Sequence, residues 1–211
     1  LIGMRKFDHV TDENRDELKK DEAINQLAKH ATVPVINMES DMFHPCQSMA
    51  DMMTMIEHFQ EVKNKKYVLT WAPHPKSLPL ATPHSQILTP TLFGMDVTLV
   101  HPEGFDLDKS VIELAQKKAD ETGGLLHITH DQAEAFKDAD VIVAKSWASS
   151  GEFEDWTVDE KKMSLTNNAV FMHCLPVRRN VEVTDGVLDS SRSLIIQEAE
   201  NRMWSQMAII H

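Results

Sequence analysis

Two patterns of apolar residues alternate along this chain. Short runs rich in aliphatic and β-branched residues occupy 1–4, 33–38, 67–71, 96–100, 125–128, 141–144, 169–172 and 194–196. Between them lie longer stretches in which apolar residues recur every three or four positions, at 12–30, 45–61, 84–93, 108–122, 131–137, 158–166 and 198–210. The first pattern fits buried strands and the second fits helices with one apolar face. Their repeated alternation predicts an α/β fold built on mostly parallel sheets. Pro90 lies inside the third helical stretch and argues against it, because an interior proline removes a hydrogen bond and kinks the helix. Met49, Met52, Met53 and Met55 form a methionine-rich run at helical spacing, which reads as core packing rather than as a soft binding surface. The polar stretch 60–66, between a long helix and a new strand, is the best place for a junction between two units.

The pattern is already under way at both ends. The chain opens with Leu1-Ile2-Gly3-Met4 in a strand-like run and stops at Ala208-Ile209-Ile210-His211 in a helical one. It therefore reads as a fragment of a longer protein, so the lack of a leader at residue 1 carries no information.

Composition narrows the class without choosing a function. The 42% hydrophobic and 26% charged content is ordinary for a water-soluble globular chain. No apolar run approaches the roughly 18 residues that a membrane-spanning helix needs. A formal net charge of −12 argues against general nucleic-acid binding, which requires a basic face. It leaves room for a local cationic pocket that would take a small anion. Two cysteines, Cys46 and Cys174, are too few for a disulfide framework, and a reducing cytoplasm is the natural expectation.

The candidate chemistry lies where the strands end. Open parallel sheets bind ligands outside the carboxyl ends of their strands, and these strands run into Arg5, Glu39, His74, His101, Lys145 and His173. Polar residues also belong at any strand end that reaches the surface, so denser groups carry more weight. One is His44-Pro45-Cys46-Gln47 at a predicted helix start, where proline is favoured and free N–H groups attract anions; simple capping by His44 is the competing reading. A second is His173-Cys174-Leu175-Pro176-Val177-Arg178-Arg179, in which Pro176 stops the strand and leaves carbonyls around Leu175 without sheet partners. Arg178 and Arg179 either tune such a pocket or pair with nearby acids. The third is Glu198-Ala199-Glu200-Asn201-Arg202, read as the first turn of the last helix. An arginine there opposes the helix dipole, and a bound anion would explain it.

The same residue types are open to two other chemistries. His44, Cys46, His173 and Cys174 together could bind zinc, but their spacings are not those of known zinc sites. Cys174 could serve as a nucleophile, although adjacent strand residues point to opposite faces and His173 is badly placed to activate it.

His44-Pro45-x-Gln47 and the HCLP string of residues 173–176, in that order, resemble the carbamoyltransferases that act on ornithine-type amines, in the aspartate/ornithine carbamoyltransferase family. The strings VPVINMES, TWAPHP, AKSW, LTNNAVFMHCLPVRRN and EAENR are closer to the N-acylornithine subgroup and extend the resemblance over nearly the whole chain. The resemblance implies a cytoplasmic homotrimer whose subunits have two doubly wound α/β domains, the first incomplete here. Residues 1–60 would be what remains of the carbamoyl-phosphate domain, 61–197 the acylornithine domain, and 198–211 a helix returning to the first. It implies that Arg5, His44, Pro45, Cys46, Gln47, Cys174, Leu175 and Arg202 bind carbamoyl phosphate, and that Glu39, His74, Lys145 and Leu175 contact the acylornithine. Arg5, His44, Gln47 and Cys174 would be the catalytic set, with no metal or organic cofactor.

On that reading the δ-amine attacks the carbamoyl carbon. Arg5 and His44 stabilise the oxyanion, Gln47 and the Leu175 carbonyl orient the carbamoyl NH2, and Arg202 holds the departing phosphate. An alkyl amine has a pKa of about 10 and must lose a proton to react; the leaving phosphate can take it, while Cys174 helps to place the amine. The family's Ser-x-Arg-Thr-Arg phosphate motif does not occur in the chain, and Ser191-Arg192-Ser193 does not replace it. The 211 residues alone are therefore expected to be inactive. Ser149-Ser150-Gly151 stands where ornithine enzymes carry Ser-Met-Gly, which favours an acylated amine. The expected product is N-acetylcitrulline, made for arginine biosynthesis; N-succinylornithine or ornithine as acceptor, a non-catalytic binding form of the same fold, and a zinc-dependent hydrolase are the alternatives.

Overall fold

A computed structural model describes residues 1–8, 13–147 and 154–211. Seven strands are present among them, arranged as two parallel sheets. The small sheet pairs β1 (Ile2–Arg5) with β2 (Val35–Glu39). The larger one contains β3 (Lys66–Trp71), β4 (Asp96–Val100), β5 (Leu125–Thr129), β6 (Val141–Lys145) and β7 (Val170–Met172), in the order β5-β4-β3-β6-β7. The chain winds outward from β3 in one direction and then returns to continue beside it in the other. The carboxyl ends of β3 and β6 therefore flank a topological switch point, where crossovers diverge and leave a crevice.

Alternation along the strands builds two cores. Tyr67, Leu69, Trp71, Val97, Leu99, Val141, Val143 and Met172 face one side. There they pack with Met52 and Met55 of α3 (Pro45–Phe59), Ile87 of α4 (Ala81–Leu92) and Val111 of α5 (Lys109–Thr122). Val68, Val100, Ile142, Ala144 and Phe171 face the other, against Phe136 of α6 (Gln132–Phe136), Met163, Val187, Leu188 and Ile195. Met52 and Met55 are thus core, whereas Met49 stays exposed.

Caps fix several boundaries. Asp108 accepts from the Ser110 N–H ahead of α5, and Gly123 closes that helix at φ +78°, a conformation glycine adopts without strain. Asp131 caps α6 in the same way through the Glu134 N–H.

The structure departs from the predicted elements in four places. The 12–30 stretch splits into α1 (Arg15–Leu18) and α2 (Glu22–His30). The break is at Asp21, held at φ +45°, whose carboxylate accepts from the Ser40 hydroxyl and the Met42 N–H instead of capping the helix. Helix α4 starts at Ala81, with Pro83 in its first turn, where the missing N–H is not needed. It also retains Pro90 near its end, whose carbonyl takes the Phe93 and Met95 N–H groups. Of 158–166 only α7 (Glu160–Met163) is helical, and a short α8 (Asp185–Leu188) was not foreseen. Residues 194–196 are not a strand. Just ahead of them Ser193 makes an isolated bridge to Phe171, and α9 (Ile195–Ile210) begins at once. A three-residue apolar run has no period by which to tell a strand from a buried helix start. No helix among the described residues is long and apolar enough to cross a membrane.

Candidate functional site

Strand register brings the first two site residues together. Arg5 and Glu39 end β1 and β2 and stand opposite each other across an irregularity between Met4 and Arg5. Arg5 Nε and Nη2 each lie 2.7 Å from Glu39 Oε2, a charge-assisted pair with a buried carboxylate. The chain then turns into α3. Pro45 occupies the start of that helix, as proline's fixed φ favours, but His44 does not cap it through its side chain. Its backbone N–H donates instead to Ser85 Oγ at 2.8 Å.

The His44 imidazole is left for other work. Nε2 lies 3.6 Å from Glu39 Oε2, and Nδ1 is buried without a hydrogen-bond partner. Burial, reinforced by the positive charges of Arg202, Arg5 and Lys145, pushes its pKa down to about 3. At neutral pH it is an uncharged imidazole that can donate a hydrogen bond without giving up a proton.

Gln47, in the first turn of α3, reaches toward α9. Its Nε2 donates to Asp51 Oδ1 at 2.6 Å and Glu198 Oε1 at 3.1 Å, and its Oε1 accepts from Arg202 Nη1 at 2.5 Å. Arg202 is not in the first turn of its helix, because α9 starts at Ile195 and Glu198 occupies that turn. The dipole argument for an anion at Arg202 therefore fails. In its place the structure holds the guanidinium against Gln47, with Nε buried and unpartnered.

The end of β7 closes the group. The His173 N–H donates to Glu198 Oε2 at 2.8 Å. Its ring faces Glu182, with Nε2 3.6 Å from Oε1, away from any role toward Cys174. Glu182 also accepts from Ser146 Oγ at 2.9 Å and the Arg178 N–H at 2.6 Å. Burial opposes its charge, but His173 and these donors hold its pKa down to about 2. Leu175 sits at φ +42° before a cis bond to Pro176, and its carbonyl accepts no hydrogen bond from the described residues. That matches the expected freeing of backbone acceptors beyond the strand. Burial pushes the Cys174 thiol up to about 12, so it stays protonated at neutral pH and is no thiolate nucleophile.

Other predicted residues are placed less directly. Lys145 ends β6 at the switch point and has no side-chain partner among the described residues, while its charge reaches His44, His173 and Cys174. His74 accepts from Arg178 Nε at 3.0 Å, so Arg178 tethers it to the HCLP loop. Arg179 pairs with Asp185 and Asp189 at the surface. The Cys46 thiol lies 3.5 Å from the Asn37 carbonyl and takes no part in the Arg5–Glu39–His44 or Gln47–Arg202 contacts. His101 is a core histidine, buried against His130 and Trp147. The four residues proposed for zinc do not converge, and no group of three or more His, Cys, Asp or Glu among the described residues could hold a metal ion. Ser149-Ser150-Gly151 lies outside the described residues.

Sequence reading missed Asp51, Glu182, Ser85 and the role of Glu198. Asp51 had a usable signal, since it follows Gln47 by four positions and so shares its helix face. The others are brought in from distant segments.

Residues 81–211 match the model of the aspartate/ornithine carbamoyltransferase Asp/Orn binding domain, and residues 2–57 match the carbamoyl-P binding domain of the same family. An N-acetylornithine carbamoyltransferase from Xanthomonas axonopodis pv. citri is 44% identical across 100% of this chain, which spans 65% of that protein. An N-succinylornithine carbamoyltransferase from Bacteroides fragilis is 39% identical across 100% of this chain and 64% of its own length. A crystal structure of acetylornithine transcarbamylase complexed with acetylcitrulline superposes with a TM-score of 0.94 at 42% identity, covering 99% of this chain and 66% of that one. The chain thus spans about two thirds of the length of these relatives.

Proposed function

This chain belongs to the aspartate/ornithine carbamoyltransferase family, and we propose that its full-length protein carbamoylates the δ-amine of N-acetylornithine. The products are N-acetylcitrulline and phosphate. The observation that carries the reading is the pair of contact groups Arg5–Glu39–His44 and Gln47–Arg202, drawn from β1, β2, α3, α9 and the loop before α3. The higher identity to an acetylornithine enzyme than to a succinylornithine one supports the acetyl group.

Each residue has a role suited to its state. Arg5 and the neutral His44 donate to the carbamoyl oxygen, which gains negative charge as the amine attacks. A neutral imidazole does this without a competing proton transfer, as in other enzymes whose histidine is kept uncharged. Gln47 Oε1 and the Leu175 carbonyl accept from the carbamoyl NH2. Arg202, with the backbone N–H of Cys46 at the start of α3, holds the phosphate; the Cys46 thiol takes no part. Lys145, Glu39 and His74 contact the acylornithine, with Lys145 offering a cation to its carboxylate. Cys174 contributes as a neutral thiol beside the amine, and the departing phosphate takes the amine proton. No metal or organic cofactor enters these steps.

The two-domain division at about residue 60, a homotrimeric full-length assembly and a cytoplasmic location belong to the same proposal. They rest on the resemblance together with the placement of the small sheet and α3 ahead of the larger sheet. Arg202→Ala in the full-length protein tests the site. Loss of a charge-assisted contact to phosphate should raise the KM for carbamoyl phosphate by about tenfold or more, with the KM for acetylornithine little changed. Equal increases in both would overturn the anion assignment. No carbamoyl transfer by the unmodified protein would overturn the function.

A further inference from the structure

A pair of buried acids lies behind the crevice and has no role in the steps above. Asp51 of α3 and Glu198 of α9 are 3% and 0% exposed, and both carboxyls accept from the same nitrogen, Gln47 Nε2. All four of their oxygens accept hydrogen bonds. Asp51 Oδ1 takes Gln47 Nε2 at 2.6 Å and Oδ2 takes Gln86 Nε2 at 2.9 Å. Glu198 Oε1 takes Gln47 Nε2 at 3.1 Å and Oε2 takes the His173 N–H at 2.8 Å. Two buried carboxyls brought onto one donor nitrogen repel each other when both are ionised, since each then has only acceptors to offer, and a single proton between them removes the conflict.

We propose that Asp51 and Glu198 share one proton and act as a positioning pair that fixes which way the Gln47 amide faces. The proposal rests on the carbamoyl-transfer reading and deepens it. An amide side chain can be turned end for end at almost no cost in shape. Here the NH2 end meets two acids, while the oxygen end meets the Arg202 guanidinium, which has only donors. The reverse orientation would set NH2 against guanidinium and oxygen against carboxylate. The pair therefore holds an acceptor toward Arg202, on the side where carbamoyl phosphate is proposed to lie. An acceptor there recognises a carbamoyl NH2 and offers nothing to the methyl group of acetyl phosphate, which has nearly the same shape. Sites built to hydrogen-bond an N–H discriminate strongly against analogues that lack it.

The charged and titratable groups around the pair fit a single net negative charge. The charge of Arg202 on α9 acts on it, as do Tyr67 on β3 and Cys174 on the loop after β7. Burial raises the pKa of both acids above the ordinary carboxylate range, opposed in part by the Gln86 and Gln47 donors to Asp51 and the His173 N–H to Glu198. Two like charges in contact in a buried site do not both ionise at neutral pH.

Infrared difference spectroscopy on the full-length protein near neutral pH in heavy water tests the shared proton without turnover. The carbonyl stretch of a protonated carboxylic acid should be present, and it should vanish in Glu198→Gln, whose amide donates to Asp51 in the proton's place. Absence of that band from the unmodified protein would overturn the shared proton, whether or not carbamoyl transfer is found. Kinetics test the positioning. The double variant Asp51→Asn, Glu198→Gln keeps the volume but lets the Gln47 amide turn. It should raise the KM for carbamoyl phosphate about tenfold while leaving the KM for the amine in place, and it should narrow the preference for carbamoyl over acetyl phosphate. Two KM values moving together, or a donor preference unchanged, would reduce the pair to a structural element and overturn the proposal.

Discussion

His44 shows how residue type and surroundings divide the work of identifying a site. The His-Pro-x-Gln spacing marked the position in the sequence, and the competing reading was a simple cap. The structure removes that reading, since the cap is made without the side chain and the imidazole is left buried beside Glu39. Its charge state was not legible, because it depends on burial and on Arg202, Arg5 and Lys145 arriving from elsewhere. With a folded pKa of about 3 against an ordinary 6.5, the unfolded chain binds more protons between those values. Stability is therefore unaffected by His44 above pH 6.5 and falls on acidification below it, by up to about 1.4 kcal/mol per pH unit. The ring resonances of His44 in the ligand-free full-length protein should stay constant from pH 8 to pH 5 in an NMR titration. A midpoint near 6.5 would mean that the imidazole is solvated and charged on demand.

At the scale of elements, periodicity located the strands of both sheets and most of the long helices, because each buries one face against a neighbour. It failed where the local signal was short or overridden. Residues 194–196 looked like a strand and became the entry to α9, which moved Arg202 from the first turn to the second and removed its dipole argument. Asp21 broke a helix by bonding across to the Ser40–Met42 loop, a long-range contact that no window of sequence contains. Helix α9 matters most for the site, because it carries Glu198 and Arg202 to α3. The two helices are joined by Asn201, whose Nδ2 donates to Thr54 Oγ1 at 2.9 Å and Glu57 Oε2 at 2.8 Å. Asn201 and Thr54 are both buried, so Asn201→Ala should cost about 1–3 kcal/mol of stability, read from the denaturation midpoint. A change within about 0.5 kcal/mol, the range of ordinary surface substitutions, would show that the α3–α9 packing does not depend on this clasp.

For the whole molecule, the winding of the larger sheet sets where chemistry can happen. The order β5-β4-β3-β6-β7 places Lys145 and the loop carrying His74 at the switch point. The end of β7 then delivers His173, Cys174 and Leu175 next to the acids of α3 and α9. The α/β class and the strand-end residues were readable from the sequence, as was the resemblance that the family models bear out. The Asp51–Glu198 pair and the Glu182 hub were not, because their meaning comes from pairs 147 and 9 positions apart that only folding brings into contact. The central claim is the identity of the acceptor, and one measurement reaches it most directly. The full-length protein is given carbamoyl phosphate with ornithine, N-acetylornithine and N-succinylornithine in parallel, and kcat/KM for ureido product is compared. The highest value is expected with N-acetylornithine; a higher value with either of the other two amines, or no ureido product from any, would overturn that assignment.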